Sequence, residues 1–284
     1  MLVSIVTPSL NQGAYIKATI DSVLSQDYPT IEYLVIDGGS TDQTVDILRS
    51  YGPRLQWISE PDAGQADAIN RGFDRAHGEV IGWLNADDTY LPGAVSSAVR
   101  FLQENPTLAM VYGQADYVDA LGAYLGPCAQ VQEYNATALL NDLDFIVQPA
   151  TFFLKSIFHE VGGLDTSLHY CFDYDLWLKI ARSHEIGYLE RRIAQVRLHP
   201  ATKTSTGGLD RLVEIERMIR RHGRRRIPTG FYGQMALARR DAALRSLTHG
   251  RLDRAIVNFG RGSFYALAHI LRRRAGSLGI GAER

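Results

Sequence analysis

Two carboxylates stand side by side in GWLNADDTYLPG, residues 82–93: Asp87 and Asp88. They follow the apolar run Val80–Leu84, with Asn85 and Ala86 between. Adjacent carboxylates at a strand end repel each other unless a cation or hydrogen-bond donors neutralise them. Their oxygens are natural ligands of Mg2+ or Mn2+, which complete their shells with substrate phosphates and water. An aspartate capping a helix beside a solvated loop is the structural alternative for the same pair. Three more acidic positions share this promise: Asp37 in VIDGGSTD, Asp67 in GQADAINRG and Asp173 in FDYDLWL.

Elements of two alternating kinds must position these groups. VSIVTPS (3–9), IEYLVID (31–37), LQWIS (55–59), VIGWLN (80–85) and LAMVYG (108–113) read as strands. Between them, residues 14–26, 40–48, 64–76 and 92–105 carry helical spacing; Ser40 and Gln43 form an expected capping box, and Pro92 suits a first helical turn. Such alternation predicts an α/β sandwich with a largely parallel sheet, whose ligands bind at the carboxyl ends of the strands. Asp37 and the Asp87–Asp88 pair fall at such ends. Further on, a hairpin is expected around Gly122, a strand at ATFFLKS, a helix over 172–185, and strands at IGYLE and IAQVRLH. Beyond Gly208 the pattern is helical: 209–226, 231–249, 252–261 and 263–274.

Composition narrows the function. With 284 residues, the chain suits one sizeable domain plus an appendage. A net charge of −1 excludes a molecule built as a whole for nucleic acid. Arginines nevertheless crowd the last third, as in IRRHGRRR and ILRRRAG, a split that suits an anionic or membrane-surface partner. Two cysteines, Cys128 and Cys171, make no disulfide framework, so a reducing cytoplasm is expected. The start MLVSIVTPSLN has no signal-peptide character, and no run approaches the ~18–20 apolar residues of a membrane span. Motifs for dinucleotides, P-loop phosphates, serine hydrolysis and zinc proteolysis are missing.

Three ordered stretches, IVTPSLNQGAYIKATIDSVLSQDYPTIEYLVIDGGSTDQT, EPDAGQADAINRGFDRAHGEVIGWLNADD and GGLDTSLHYCFDYDLWLKI, resemble the family 2 glycosyltransferases of the GT-A fold. The resemblance covers about residues 1–205. It implies a Rossmann-like α/β/α sandwich with a mostly parallel central sheet over 1–207, followed by a C-terminal helical appendage over 208–284. Residues 1–119 would be the nucleotide-sugar half and 120–207 the acceptor and catalytic half.

By the same resemblance, Thr7 and Pro8 border the base, Asp37 accepts from a uracil-type ring NH, and Asp67 lies near the nucleoside. The family's D-x-D-type motif appears as Asn85-Ala86-Asp87-Asp88. Asp87 would serve the ribose, and Asp88 the Mg2+ or Mn2+ bridging the diphosphate. Asp173 falls on the catalytic base, with Phe172 where an acidic neighbour is usual. Asp175 reads as structural. His199, in VRLHPATKTS, stands where relatives place a metal- or diphosphate-contacting histidine. Lys203 would neutralise phosphate from a closing loop over 203–208.

One base and no protein nucleophile imply direct displacement with inversion. The chain has no Q-x-x-R-W motif of the kind processive synthases carry, which implies addition of one sugar. The expected donor is a UDP-sugar, and the expected acceptor a saccharide or lipid-linked hydroxyl in bacterial cell-surface polysaccharide or glycolipid synthesis. The alternative is a nucleotide-sugar-binding scaffold whose helical tail docks partners. That tail reads either as a homodimer face or as a peripheral contact with the inner face of the membrane.

Overall fold

The computed structural model describes residues 1–141, 144–223, 229–248, 251, 254, 256–258 and 260–267. The chain forms two compact units: Met1–Tyr134 with Phe145–Thr202, and Asn135–Asp144 with Lys203–Arg284.

The first unit is built on a mixed nine-stranded sheet. Its strands are β1 (Val3–Ser9), β2 (Ile31–Asp37), β3 (Gln56–Ser59), β4 (Val80–Trp83), β5 (Thr89–Tyr90), β6 (Leu108–Val118), β7 (Tyr124–Pro127), β8 (Thr151–Leu154) and β9 (Glu185–Arg197). The order is β3-β2-β1-β4-β8-β6-β9-β5, with β7 on β6. The first four strands are parallel; β8 enters antiparallel to both β4 and β6, and β6 and β9 are again parallel. Val3, Ile5, Val6, Val35, Val80 and Ile81 are fully buried, as a parallel sheet covered on both faces requires.

The helices of this unit are α1 (Ile16–Leu24), α2 (Thr44–Ser50), α3 (Gln65–Arg75), α4 (Ala94–Glu104), α6 (Lys155–Glu160) and α7 (Phe172–Ile180). α3 lies close on β1 because Gly72 has no side chain: a Cβ there would come within 2.4 Å of Val6 Cγ1.

Pairing of β1 with β4 ends at Val6–Trp83, while pairing with β2 continues to Ser9–Asp37. Pro8, which has no N–H to give, therefore sits where β1 has lost one neighbour. The two strands part there, at the point where the chain order of the parallel strands reverses, which is where sheets of this kind bind their ligands.

Four local expectations are corrected. Ser40 and Gln43 form no capping box: α2 starts at Thr44, whose N–H is held by Asp42 Oδ1 at 2.9 Å, while Ser40 Oγ donates to Asp37. Pro92 does not begin α4, because Gly93 follows with φ +77° and the helix opens at Ala94. IGYLE and IAQVRLH are one strand, β9, whose register against β6 slips between Gly113 and Ala115. That bulge leaves Glu190 and Arg191 without partners in the ladder and carries the strand past its charged middle. The helix expected over 172–185 stops at Ile180 and gives way to a turn before β9.

The second unit contains α5 (Ala136–Asn141), α8 (Lys203–Thr206), α9 (Gly208–Arg221) and α10 (Thr229–Thr248). Residues 203–206, expected as loop, form a helical turn. Residues 260–267 are helical, without the expected break at Gly262. The apolar stripe of α9, Leu212, Ile215, Met218 and Ile219, is buried, and α9 packs on α10. Arg224–Arg226 and Arg272–Arg274 lie outside the described residues.

Candidate active site

Asp37 ends β2 and is buried. Its Oδ2 accepts the N–H groups of Gly39 (3.2 Å) and Ser40 (2.8 Å) and the hydroxyl of Ser59 (2.7 Å); its Oδ1 accepts Ser40 Oγ at 2.5 Å. Gly39 adopts φ +85°, which only glycine takes without strain. The DGGS turn is thus wound around this carboxylate. Facing it across the β1–β2 register, Ser9 Oγ is buried with no partner among the described residues. Thr7 lies fully buried, its hydroxyl 3.0 Å from that of Tyr33. Pro8 is buried beside it. Asp67, in the first turn of α3, accepts Ala63 N–H at 3.0 Å and pairs with Arg71 at 2.8 Å, so it fixes the loop leading into its own helix.

The acidic centre forms where β4 has just left the sheet. Asp88 is buried; its Oδ1 accepts Arg197 N–H at 3.0 Å and its Oδ2 accepts Asn85 Nδ2 at 3.2 Å. Burial first, then the charge of Asp87, push the Asp88 carboxyl well above the usual range, against these two hydrogen bonds. Asp87 Oδ2 lies 3.0 Å from His199 Nε2. An ionised carboxylate only accepts, so this contact calls for a proton on Nε2. The imidazole is almost fully buried and stacks on Tyr15 with centroids 4.6 Å apart.

Arg197, two residues before His199 and also buried, donates to the carbonyls of Asp87 (2.9 Å), Asp119 (3.1 Å) and Ala120 (3.3 Å). Thr19 Oγ1 on α1 lies 2.8 Å from the carbonyls of both Ala86 and Asp88. Gln148 takes Asn85 Nδ2 at 2.9 Å and gives its own amide to Trp83 O at 2.8 Å.

Asn85 Oδ1 accepts Trp83 Nε1 at 3.2 Å, which joins the centre to α7. Trp83 packs on Phe172 (5.9 Å) and Trp177 (6.0 Å) from that helix. Phe172, in place of an acidic residue, therefore seats the helix that carries Asp173. Asp173 is partly exposed in the first turn, with Oδ1 on Tyr174 N–H at 2.8 Å. Asp175 is buried and ion-paired to Lys179 at 2.7 Å, a structural role.

The structure thus gathers Asn85, Asp87, Asp88 and His199, sets Asp37 beside Ser9, and leaves Asp67 binding its own loop. His199 meets Asp87, where the sequence had grouped it with Asp88. Lys203 opens α8 in the second unit. Ser9, Tyr15, Thr19, Gln148 and Arg197 carry no motif that singles them out; only the period-2 spacing of Arg197 and His199 hinted that both could face one way.

No group of three or more His, Cys, Asp or Glu side chains among the described residues is already arranged around a metal position. The donor types nonetheless suit a divalent cation: hard carboxylate oxygens and an imidazole, with more negative charge at Asp87–Asp88 than the local donors balance.

Known proteins share the sequence pattern and the fold of this chain. The family model described as Glycosyl transferase family 2 matches residues 4–162. An uncharacterized glycosyltransferase of Rickettsia prowazekii is 32% identical over 221 residues, covering 76% of this chain and 69% of that protein. Among solved structures, the mannosyltransferase PcManGT from Pyrobaculum calidifontis in complex with GDP-Man and Mn2+ matches with TM-score 0.61 at 17% identity, over 99% of this chain and 81% of that one. TarS 1-349 of S. aureus in complex with UDP-GlcNAc matches with TM-score 0.60 at 15% identity, over 97% and 92%.

Proposed function

The chain belongs to glycosyl transferase family 2, and from that premise we propose that it adds one sugar, with inversion, from a UDP-sugar to a saccharide or lipid-linked hydroxyl. One observation carries the reading: Asn85, Asp87, Asp88, Arg197 and His199 form a single hydrogen-bonded acidic centre just past the point where the pairing of β1 and β4 ends.

In this reading the nucleoside end of the donor meets Thr7, Pro8, Ser9, Asp37 and Asp67. The Ser9 hydroxyl, buried without a partner among the described residues, supports a polar ligand there, since a buried donor without a partner is costly. Asp87 serves the ribose. Asp88 and His199, with Asp87 adjoining, would hold Mg2+ or Mn2+, which neutralises charge on the departing diphosphate when bound. Asp173 takes the acceptor hydroxyl's proton during attack. Lys203 is a candidate phosphate contact.

The domain reading, a catalytic 1–207 and a helical 208–284, is kept as part of the proposal. So is a place in the cytoplasm at the inner membrane face, in cell-surface polysaccharide or glycolipid synthesis. Exposed Arg217, Arg220 and Arg221 support contact with an anionic surface, although the apolar stripe of α9 is already covered. No helix among the described residues is long and apolar enough to cross a membrane.

The test is a thermal-shift screen of nucleotide sugars with Mn2+, Mg2+ or chelator, followed by transfer assays. UDP-sugars should stabilise the protein, and only with metal. Stabilisation by GDP-sugars alone, or equal stabilisation in chelator, overturns the donor or the metal assignment respectively.

A further inference from the structure

The second unit holds a cleft of about 470 Å³, lined by residues of α9, α10 and the 260–265 segment. Its walls include Arg217, Arg220, Arg239 and Arg261 against one carboxylate, Glu216. That carboxylate is already satisfied: Oε1 takes Arg220 Nη2 at 2.9 Å, and Oε2 takes the hydroxyl of Tyr265 at 2.9 Å. Burial, then the bond to Glu216, push the Tyr265 hydroxyl up to about 12, so it stays a neutral donor.

Among the described residues, three guanidiniums have no opposing charge. Arg239 spends Nη1 on the amide oxygen of Asn258 (3.0 Å), and its Nε is buried without a partner among the described residues. Arg217 and Arg261 form no ion pair with the described residues, and both are exposed at the cleft.

We propose that this cleft binds a phosphate- or diphosphate-bearing ligand, at a site made wholly by the second unit. Converging guanidiniums are suited to phosphate, because their forked N–H donors match its oxygens pairwise. An acidic protein segment could use the same charge, but a cleft inside the ~300–1,000 Å³ of small-molecule sites favours a compact anion. Phe264 and Val213 add an apolar wall, which suits a phosphate carried on a less polar body. The proposal is independent of the donor chemistry above.

The experiment is calorimetric titration of the full chain with pyrophosphate in low salt and chelator. Wild-type protein should bind, and Arg217→Gln/Arg261→Gln should weaken binding by roughly tenfold or more, the effect of losing charge-assisted hydrogen bonds. UDP binding in Mn2+, read separately, should be the same in both. The Arg217→Lys/Arg261→Lys pair keeps the charge but not the fork, so it should retain part of the pyrophosphate affinity, more than the glutamine pair.

Vesicles of phosphatidylcholine with phosphatidic acid separate the two sources. Pelleting by wild type but not by the glutamine variant identifies a lipid headgroup; pyrophosphate binding without pelleting identifies a soluble phosphate. No pyrophosphate binding by the wild type, equal affinity in the glutamine variant, or parallel loss of UDP and pyrophosphate binding overturns the site.

Discussion

His199 and Asp87, 112 residues apart in the chain, meet at 3.0 Å between Nε2 and Oδ2. The strand β9 delivers the imidazole, and the turn after β4 delivers the carboxylate. His199→Ala would break this pair and unstack Tyr15. Stabilisation by UDP with Mn2+ should then fall while far-ultraviolet circular dichroism stays native. Undiminished metal-dependent stabilisation would remove His199 from the cation end.

Asp88→Asn would remove a buried charge that its surroundings already resist. Turnover should be abolished, with the protein still folded, because the proposed function needs that charge at the diphosphate. The amide can accept only one of the two donors that Asp88 now serves, so a loss of about 1–3 kcal/mol in stability is expected. Full transfer activity in this variant, or in excess chelator, would refute the metal role.

Asp173→Asn should lower kcat by roughly 10²–10⁴-fold, the usual worth of a general base. UDP affinity should not move, because the proposed function puts this residue with the acceptor. A collapse of UDP binding instead would put Asp173 with the nucleotide.

Arg197→Met would leave the carbonyls of Asp87 and Ala120 without the guanidinium donor, and that of Asp119 with the Gly122 N–H alone. The melting temperature should fall, and the nucleotide-sugar KM should rise as the Asp87 turn loosens. Arg197→Lys keeps the charge but not the fork, so it should recover only part of both. An unchanged melting temperature in the methionine variant would show that the three contacts contribute nothing.

Glu32 offers a pH test remote from the site. Burial raises its pKa, but hydrogen bonds from His77 N–H, Ser4 Oγ and the His77 ring outweigh this, and the net value lies below 4.5. The carboxylate therefore adds stability above its unfolded pKa and loses it as pH falls through the lower folded value. In urea melts, Glu32→Gln should be less stable than wild type near neutral pH, with the gap closing well below pH 4.5. A gap that persists in acid would contradict the linkage.

The parallel half of the sheet was legible because β1, β2 and β4 carry apolar runs, with carboxylates at the end of β2 and just past the end of β4. The acidic centre was legible as residues but not as pairs. That His199 answers Asp87 depends on the bulge in β9, which sets the register of its last residues against β6 and β5. Nothing local in GYLERRIAQ distinguishes a bulged strand from two strands. Arg197 and Gln148 were invisible for another reason: each acts through backbone carbonyls or amides of distant segments, which no side-chain motif encodes. The start of α2 went astray because Ser40, a good cap by type, is claimed by Asp37.

The loop around Asp37 also bears on the thermodynamics of recognition. Gly39, Ser40 and Ser59 are drawn onto the carboxylate by hydrogen bonds within the protein itself. The conformational entropy of that segment is thus surrendered during folding, not at the encounter. A molecule arriving there meets a finished wall, so association is limited by diffusion and orientation, and differences among ligands fall mainly on their dissociation rates.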